Sequence, residues 1–124
     1  MSDVVTFEIL VPLTDNSTGI GHAPHKFRSW VDSTVRQFGG ITTLGLAVQG
    51  LWYDQSLPAR ENPIQDHSNW YKIGVAPSRV GELRAFIQET ARTFGQKCIY
   101  FERAGDAEFV WHPELRPPEA SRGG

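Results

Sequence analysis

The chain has 124 residues, of which 40% are hydrophobic and 21% charged, with a formal charge of −2 and a single cysteine, Cys98. That length fits one domain, and the apolar share excludes intrinsic disorder. The mild acidity removes the electrostatic case for non-specific nucleic-acid binding, and one cysteine excludes a disulfide framework or a Cys-ligated iron–sulfur cluster within one chain.

No apolar run approaches the roughly 20 residues of a membrane helix. Met1-Ser2-Asp3-Val4 lacks the basic and apolar regions of a signal peptide, so a cytoplasmic protein without membrane contact is expected. Along the chain, residues 4–13 alternate, with Val5, Phe7, Ile9, Val11 and Leu13 on one face and Thr6 and Glu8 on the other. This is the pattern of a half-buried strand, and Pro12 marks its exit. Residues 14–23 hold Asp15, Asn16, Ser17, Gly19 and Gly21, which is loop chemistry. A helix is predicted from Pro24, with Phe27, Trp30, Val31, Thr34 and Phe38 at helical spacing and Gly39-Gly40 as its stop.

Residues 41–53 read as a second strand with Leu44, Leu46 and Val48 inward, and residues 54–68, containing Pro58 and Pro63, as a long exposed loop. Residues 70–76 alternate again, Tyr71, Ile73 and Val75 opposing Trp70, Lys72 and Gly74. Pro77-Ser78 should start the second helix, with Ser78 as N-cap, and Val80, Leu83, Phe86, Ile87, Thr90, Ala91 and Phe94 form its stripe up to Gly95. Residues 97–103 are strand-like. Gly105-Asp106 punctuates them, and residues 107–111 are expected to return as a short hairpin arm. The domain is therefore expected over residues 1–111, followed by a flexible tail, 112–124.

The order β-α-β-β-α-β has an internal echo. Shifted by about 56 positions, the first helix lies on the second: Phe27 meets Leu83, Trp30 meets Phe86, Val31 meets Ile87, Thr34 meets Thr90, and Arg36-Gln37-Phe38-Gly39 meets Arg92-Thr93-Phe94-Gly95. Two right-handed crossovers interleaved in a four-stranded antiparallel sheet, with both helices on one face, give an α+β ferredoxin-like sandwich. Three short stretches support this: Phe38-Gly39-Gly40, Gly50-Leu51-Trp52-Tyr53, and Phe94-Gly95-Gln96 before Ile99-Tyr100. In them the chain resembles small uncharacterised bacterial proteins with a ferredoxin-like α+β fold. The resemblance implies the fold and assigns no functional residue.

Chemistry is sought where the two halves differ. The strand phases place Glu8, Trp70, Lys72, Cys98, Tyr100 and Glu102 on the open sheet face, together with Thr6, Leu10, Thr43, Ala47 and Gln49. In the ferredoxin-like order Glu102, Glu8 and Lys72 become neighbours, either an acid–base group or an ordinary charge ladder. His22, His25 and Arg28 gather at the start of the first helix, where exposed N–H groups favour anions. A metal there would need further ligands such as His67, His112 or Asp66, so no metal and no cofactor is expected. Trp52, Tyr53, Trp70 and Tyr71 flank the long loop and could wall a pocket for an apolar or aromatic small molecule. Cys98, in a predicted strand, reads as a small buried hydrophobe. The RNA-recognition pattern is absent, so nucleic acid is not expected as a partner. Three functions follow. The first is a binding or assembly module, homodimeric through its open sheet face. The second is a small enzyme of the dimeric α/β-barrel type acting on an apolar or aromatic molecule. The third is an anion- or nucleotide-sensing domain.

Overall fold

A computed structural model describes residues 3–52 and 64–114. Its elements are β1 (Val4–Pro12), α1 (Pro24–Phe38), β2 (Thr42–Trp52), β3 (Ile64–Val75), α2 (Val80–Thr93) and β4 (Tyr100–Ala107), with a 3-10 turn at Pro77–Arg79 leading into α2. The strands form one antiparallel sheet in the order β2-β3-β1-β4. Each helix therefore links two strands that are separated by a third, which is the interleaved arrangement of an α+β ferredoxin-like fold. No helix among the described residues is long and apolar enough to cross a membrane.

The alternation in β1 and β3 sets the core. Val5, Phe7, Ile9 and Val11 from β1 and Tyr71, Ile73 and Val75 from β3 are all buried, and they meet Phe27, Trp30, Phe38, Leu83, Ile87 and Phe94 from the helical layer. Fully burying side chains such as Ile9, Ile73 and Leu83 contributes about 1.5–3 kcal/mol each. At the β4 side the layer closes with Phe101 stacked on Phe7, ring centroids 4.4 Å apart.

The helical repeat has a structural counterpart. Thr34 Oγ1 donates to the Trp30 carbonyl at 2.8 Å, and Thr90 Oγ1 to the Phe86 carbonyl at 2.9 Å. These are the residues that the repeat pairs. The two helices are then joined through them, because Trp30 Nε1 donates to Thr90 Oγ1 at 2.8 Å. Both helices also stop on left-handed glycines, Gly39 at φ 93° and Gly95 at φ 61°. A side chain at Gly95 would in addition run into the Asp15 carboxylate.

Five expectations are corrected. The start of α2 carries no side-chain cap from Ser78. The chain instead takes a 3-10 turn, and Arg79, whose guanidinium donates to the Gln37 carbonyl at 2.8 Å and to the Glu82 carboxylate, holds it. β3 begins at Ile64, inside the stretch read as loop, because residues 64–68 pair with β2. Gly105 and Asp106 lie within β4, opposite Thr6 and Val5, and no separate hairpin arm follows. Cys98 precedes β4 and is exposed. Outside its bulged middle, β2 has the reverse of the predicted phase. Thr43 lies opposite Tyr71 and Gln49 opposite His67, on the helix side, while Val48 lies opposite Ser68 on the open face. Leu44 and Leu46 are exposed. The physical reason is that β2 is an edge strand that α1 does not cover, and two bulges interrupt it between Thr43 and Val48. The rule that apolar residues turn inward has no hold where there is no inside.

Candidate functional site

The uncovered strip between α1 and β2 is a groove of about 900 Å³, within the size range of small-molecule sites. Phe27, Val31 and Val35 of α1 form one wall, and Thr43, Leu46 and Ala47 of β2 the other. Asn69 and Tyr71 of β3 lie between them, and Thr14, Gly21 and His22 close one end. Arg28 and Asp32 contribute charge on the α1 side.

His22 is placed there by a tightly tied loop. The Asp15 carboxylate accepts from the Ser17 N–H, the Ser17 hydroxyl and the Thr18 N–H, an Asx turn whose bonds hold its carboxyl below the usual range. The loop is fastened to the end of α2 by Asn16 N–H to the Gly95 carbonyl, Lys97 N–H to Asn16 Oδ1 and Gln96 Nε2 to the Thr14 carbonyl. His22 itself donates from Nε2 to the Phe94 carbonyl at 2.9 Å. A carbonyl can only accept, so the proton sits on Nε2 and Nδ1 faces the Lys26 ammonium at 3.4 Å. The ring also stands edge-on to Phe94, centroids 5.1 Å apart. His22 is thus a latch between loop and helix that shows one edge to the groove.

At the floor, Asn69 and Tyr71 are joined by a hydrogen bond of 3.2 Å from Asn69 Nδ2 to the Tyr71 hydroxyl. Burial raises the pKa of that hydroxyl above its ordinary 10.0, against a smaller opposing effect of the Asn69 bond. It therefore stays protonated across the physiological range.

Of the residues singled out from the sequence, the structure brings His22, Arg28 and Tyr71 to this groove. His25, on the first turn of α1, is exposed and does not line it. Trp70 and Tyr71, neighbours on one strand, stand on opposite faces, so only Tyr71 meets the groove. Trp52 ends β2 opposite Ile64, and Tyr53 lies outside the described residues. Among the described residues no three His, Cys, Asp or Glu side chains converge as a metal site would require. Sequence reasoning missed Asn69, Thr43 and Ala47. Asn69 had a usable signal, since it shares the parity of Tyr71, Ile73 and Val75 and is a polar residue on the inward face.

The open sheet face holds a second cluster. Glu8 lies between Lys72 and Glu102 in register, and Leu10 between Trp70 and Tyr100. The Trp70 indole N–H donates to Glu8 at 2.9 Å. The hydrogen bond to Glu102, with Glu8 adding its charge, pushes the Tyr100 hydroxyl's pKa up. These residues form one row across the open face of the sheet.

No family model matches the chain, and no curated protein matches it. Among solved structures, a phage SAM lyase in complex with S-methyl-5'-thioadenosine is similar over 90% of this chain and 89% of that one, with a TM-score of 0.56 at 12% sequence identity, a likeness of fold.

Proposed function

We propose that the chain is a small-molecule enzyme of the lyase type whose α1–β2 groove takes a nucleoside sulfonium or thioether. The observation that carries this reading is the groove itself. It is a concave, largely apolar site of ligand size with a few polar groups, the Tyr71 hydroxyl, the Asn69 amide and Thr43, converging in it. The structural neighbour, a SAM lyase in complex with S-methyl-5'-thioadenosine, supports the enzymatic reading over a purely structural one and supplies the substrate class. The chemistry suits such a site. When the carboxylate of S-adenosylmethionine attacks its own γ-carbon, a C–O bond closes a lactone as the C–S bond breaks. The electron pair returns to sulfur, and the carboxylate and sulfonium charges cancel in a lactone and a neutral thioether. Because charge disappears along the path, a poorly solvating apolar groove favours the reaction and the leaving group needs no acid.

The test is direct. Incubation with S-adenosylmethionine should release S-methyl-5'-thioadenosine, detectable by chromatography and mass spectrometry. The same thioether at about 100 times its Kd should stabilise the fold by about 2.7 kcal/mol in a thermal melt. Release no faster than in buffer, together with an unmoved Tm, would sink this reading.

A second reading concerns assembly. Both helices cover one face of the sheet, and the other carries Leu10, Trp70 and Tyr100 with no layer over them among the described residues. A second copy of the chain seated on that face would cover the row. Size-exclusion chromatography with light scattering is then expected to show a dimer at about 50 µM, a weak-dimer regime, and Tyr100→Glu to return it to monomer. A wild-type protein that is monomeric at that concentration contradicts the reading.

A further inference from the structure

The floor of the groove contains a directed hydrogen-bond donor, and its direction follows from the backbone. The Ala47 N–H donates to the side-chain oxygen of Asn69 at 3.1 Å. A backbone N–H has only a proton to offer, so the amide atom facing it must be Oδ1, and the orientation of the Asn69 amide is fixed. Its NH2 group then faces Tyr71 and donates to the phenolic oxygen. The Tyr71 oxygen is thereby an acceptor in this pair, a bond that does not use its own proton.

The surroundings hold the arrangement rigid. Tyr71 is 2% exposed and its ring lies 5.0 Å from that of Trp30, so it has no room to swing. Ala47, at φ 52°, is the one described non-glycine residue in the left-handed region. It sits in the bulged stretch of β2 where Gly45 approaches Val48 so closely that a side chain at 45 would meet Val48 Cγ2 at 2.8 Å. Strained backbone of this kind persists where its surroundings over-determine it, and here the bond to Asn69 does so. Ala47, Asn69 and Tyr71 all line the groove.

We infer that Tyr71 is the specificity-determining donor of the groove, its hydroxyl proton directed by Asn69 towards an uncharged ring nitrogen or carbonyl of a planar heteroaromatic ligand. An uncharged acceptor fits because Phe27, Val31 and the neutral Asn69 amide surround the floor, while Arg28 is exposed. Asn69 is a positioning residue, acting through Tyr71. The inference rests on the groove being a ligand site, and a purine ring is one member of the class it names.

The test uses two planar probes of the same shape, quinoxaline with ring nitrogens and naphthalene without, whose affinities for the full chain are measured by NMR titration at pH 8. Tyr71→Phe removes only the hydroxyl. It should weaken quinoxaline by about five- to tenfold, the effect of one lost neutral hydrogen bond, and leave naphthalene within about twofold. Asn69→Asp keeps an acceptor for the Ala47 N–H but replaces the donor facing Tyr71 with a second acceptor. The phenol then turns its proton onto the carboxylate, and quinoxaline should again be lost selectively. A merely structural role would move both probes together, and that outcome overturns the inference. So does a wild-type protein that binds neither probe. Should Asn69→Asp fail to fold, the Tyr71→Phe ratio decides alone. If the quinoxaline ratio responds as stated but S-methyl-5'-thioadenosine does not bind, the nucleoside reading falls and the donor stands. If the thioether binds and the ratio is indifferent, the reverse holds.

Discussion

Phe94→Ala is expected to lower the unfolding free energy by about 3–5 kcal/mol, the range for deleting a large buried aromatic ring. The ring is fully buried. It lies 5.0 Å from Phe27 and 6.4 Å from Trp30, centroid to centroid, with the Lys26 ammonium 5.2 Å away. It therefore joins both helices at the end where α2 stops, where Asp15 packs against Gly95 and Thr90 is bonded to Trp30. Urea denaturation followed by circular dichroism measures the loss. Phe109→Ala, on an exposed ring outside the core, supplies the comparison and should stay within about 0.5 kcal/mol. A loss below about 1 kcal/mol at Phe94 would mean that the ring does not couple the helices as described. The variant should also loosen the groove, because His22 stands against this ring and bonds the same residue's carbonyl. A slower exchange of the His22 amide in the wild type than in Phe94→Ala is the accompanying readout.

That coupling shows why the helices were legible from sequence. Two independent signals agree at each: apolar spacing that places Trp30 and Thr34, or Phe86 and Thr90, on one stripe, and a glycine that adopts positive φ directly after it. The strands β1 and β3 were legible for a similar reason. Both are central, and a layer of helices rests on one side of them, so parity translates into burial with Ile9 and Ile73 wholly inside and Glu8 and Lys72 partly wet. At β2 the same logic misassigned Leu44, Leu46 and Val48. An edge strand beside an open groove has no covered face to reward, and of these three Leu46 joins the groove's wall instead of a core. Cys98 was misplaced because Lys97, read as the start of a strand, is spent on a bond to Asn16, and Gln96 before it on one to Thr14.

The candidate site was legible only in pieces. Tyr71 carried the aromatic signal and His22 and Arg28 the polar one, but they lie in separate elements, and only the crossover of α1 past β3 brings them to one groove. Asn69 was hidden by its position beside a stretch read as loop. The feature that gives it meaning, a backbone N–H from the bulge at Ala47, has no sequence signature, because alanine does not mark positive φ. Directed polar groups of this kind become visible only when the donor of each bond is assigned.

If the groove takes the proposed ligand, Val35→Trp is expected to weaken that binding sharply while leaving the fold in place. Val35 stands on α1 at the groove's wall and is 41% exposed, so a larger side chain there need not displace the core. Tryptophan and valine have similar helix propensity, and a surface change of this kind shifts stability by about 0.5 kcal/mol or less. The indole can bury its apolar body only by turning into the groove against Leu46, where it takes the room a planar ligand would use. Affinity for S-methyl-5'-thioadenosine should therefore fall by more than about tenfold, equivalent to about 1.4 kcal/mol, with the Tm nearly unmoved. Arg36→Trp, one position on and outside the lining, should bind as the wild type does. The comparison also separates the two faces of the sheet. A ligand seated on the Trp70–Tyr100 row would ignore Val35→Trp and respond to Tyr100→Ala, because the sheet lies between that row and the groove. Loss on Val35→Trp with indifference to Tyr100→Ala locates the chemistry under α1, at the strip that the helices leave uncovered.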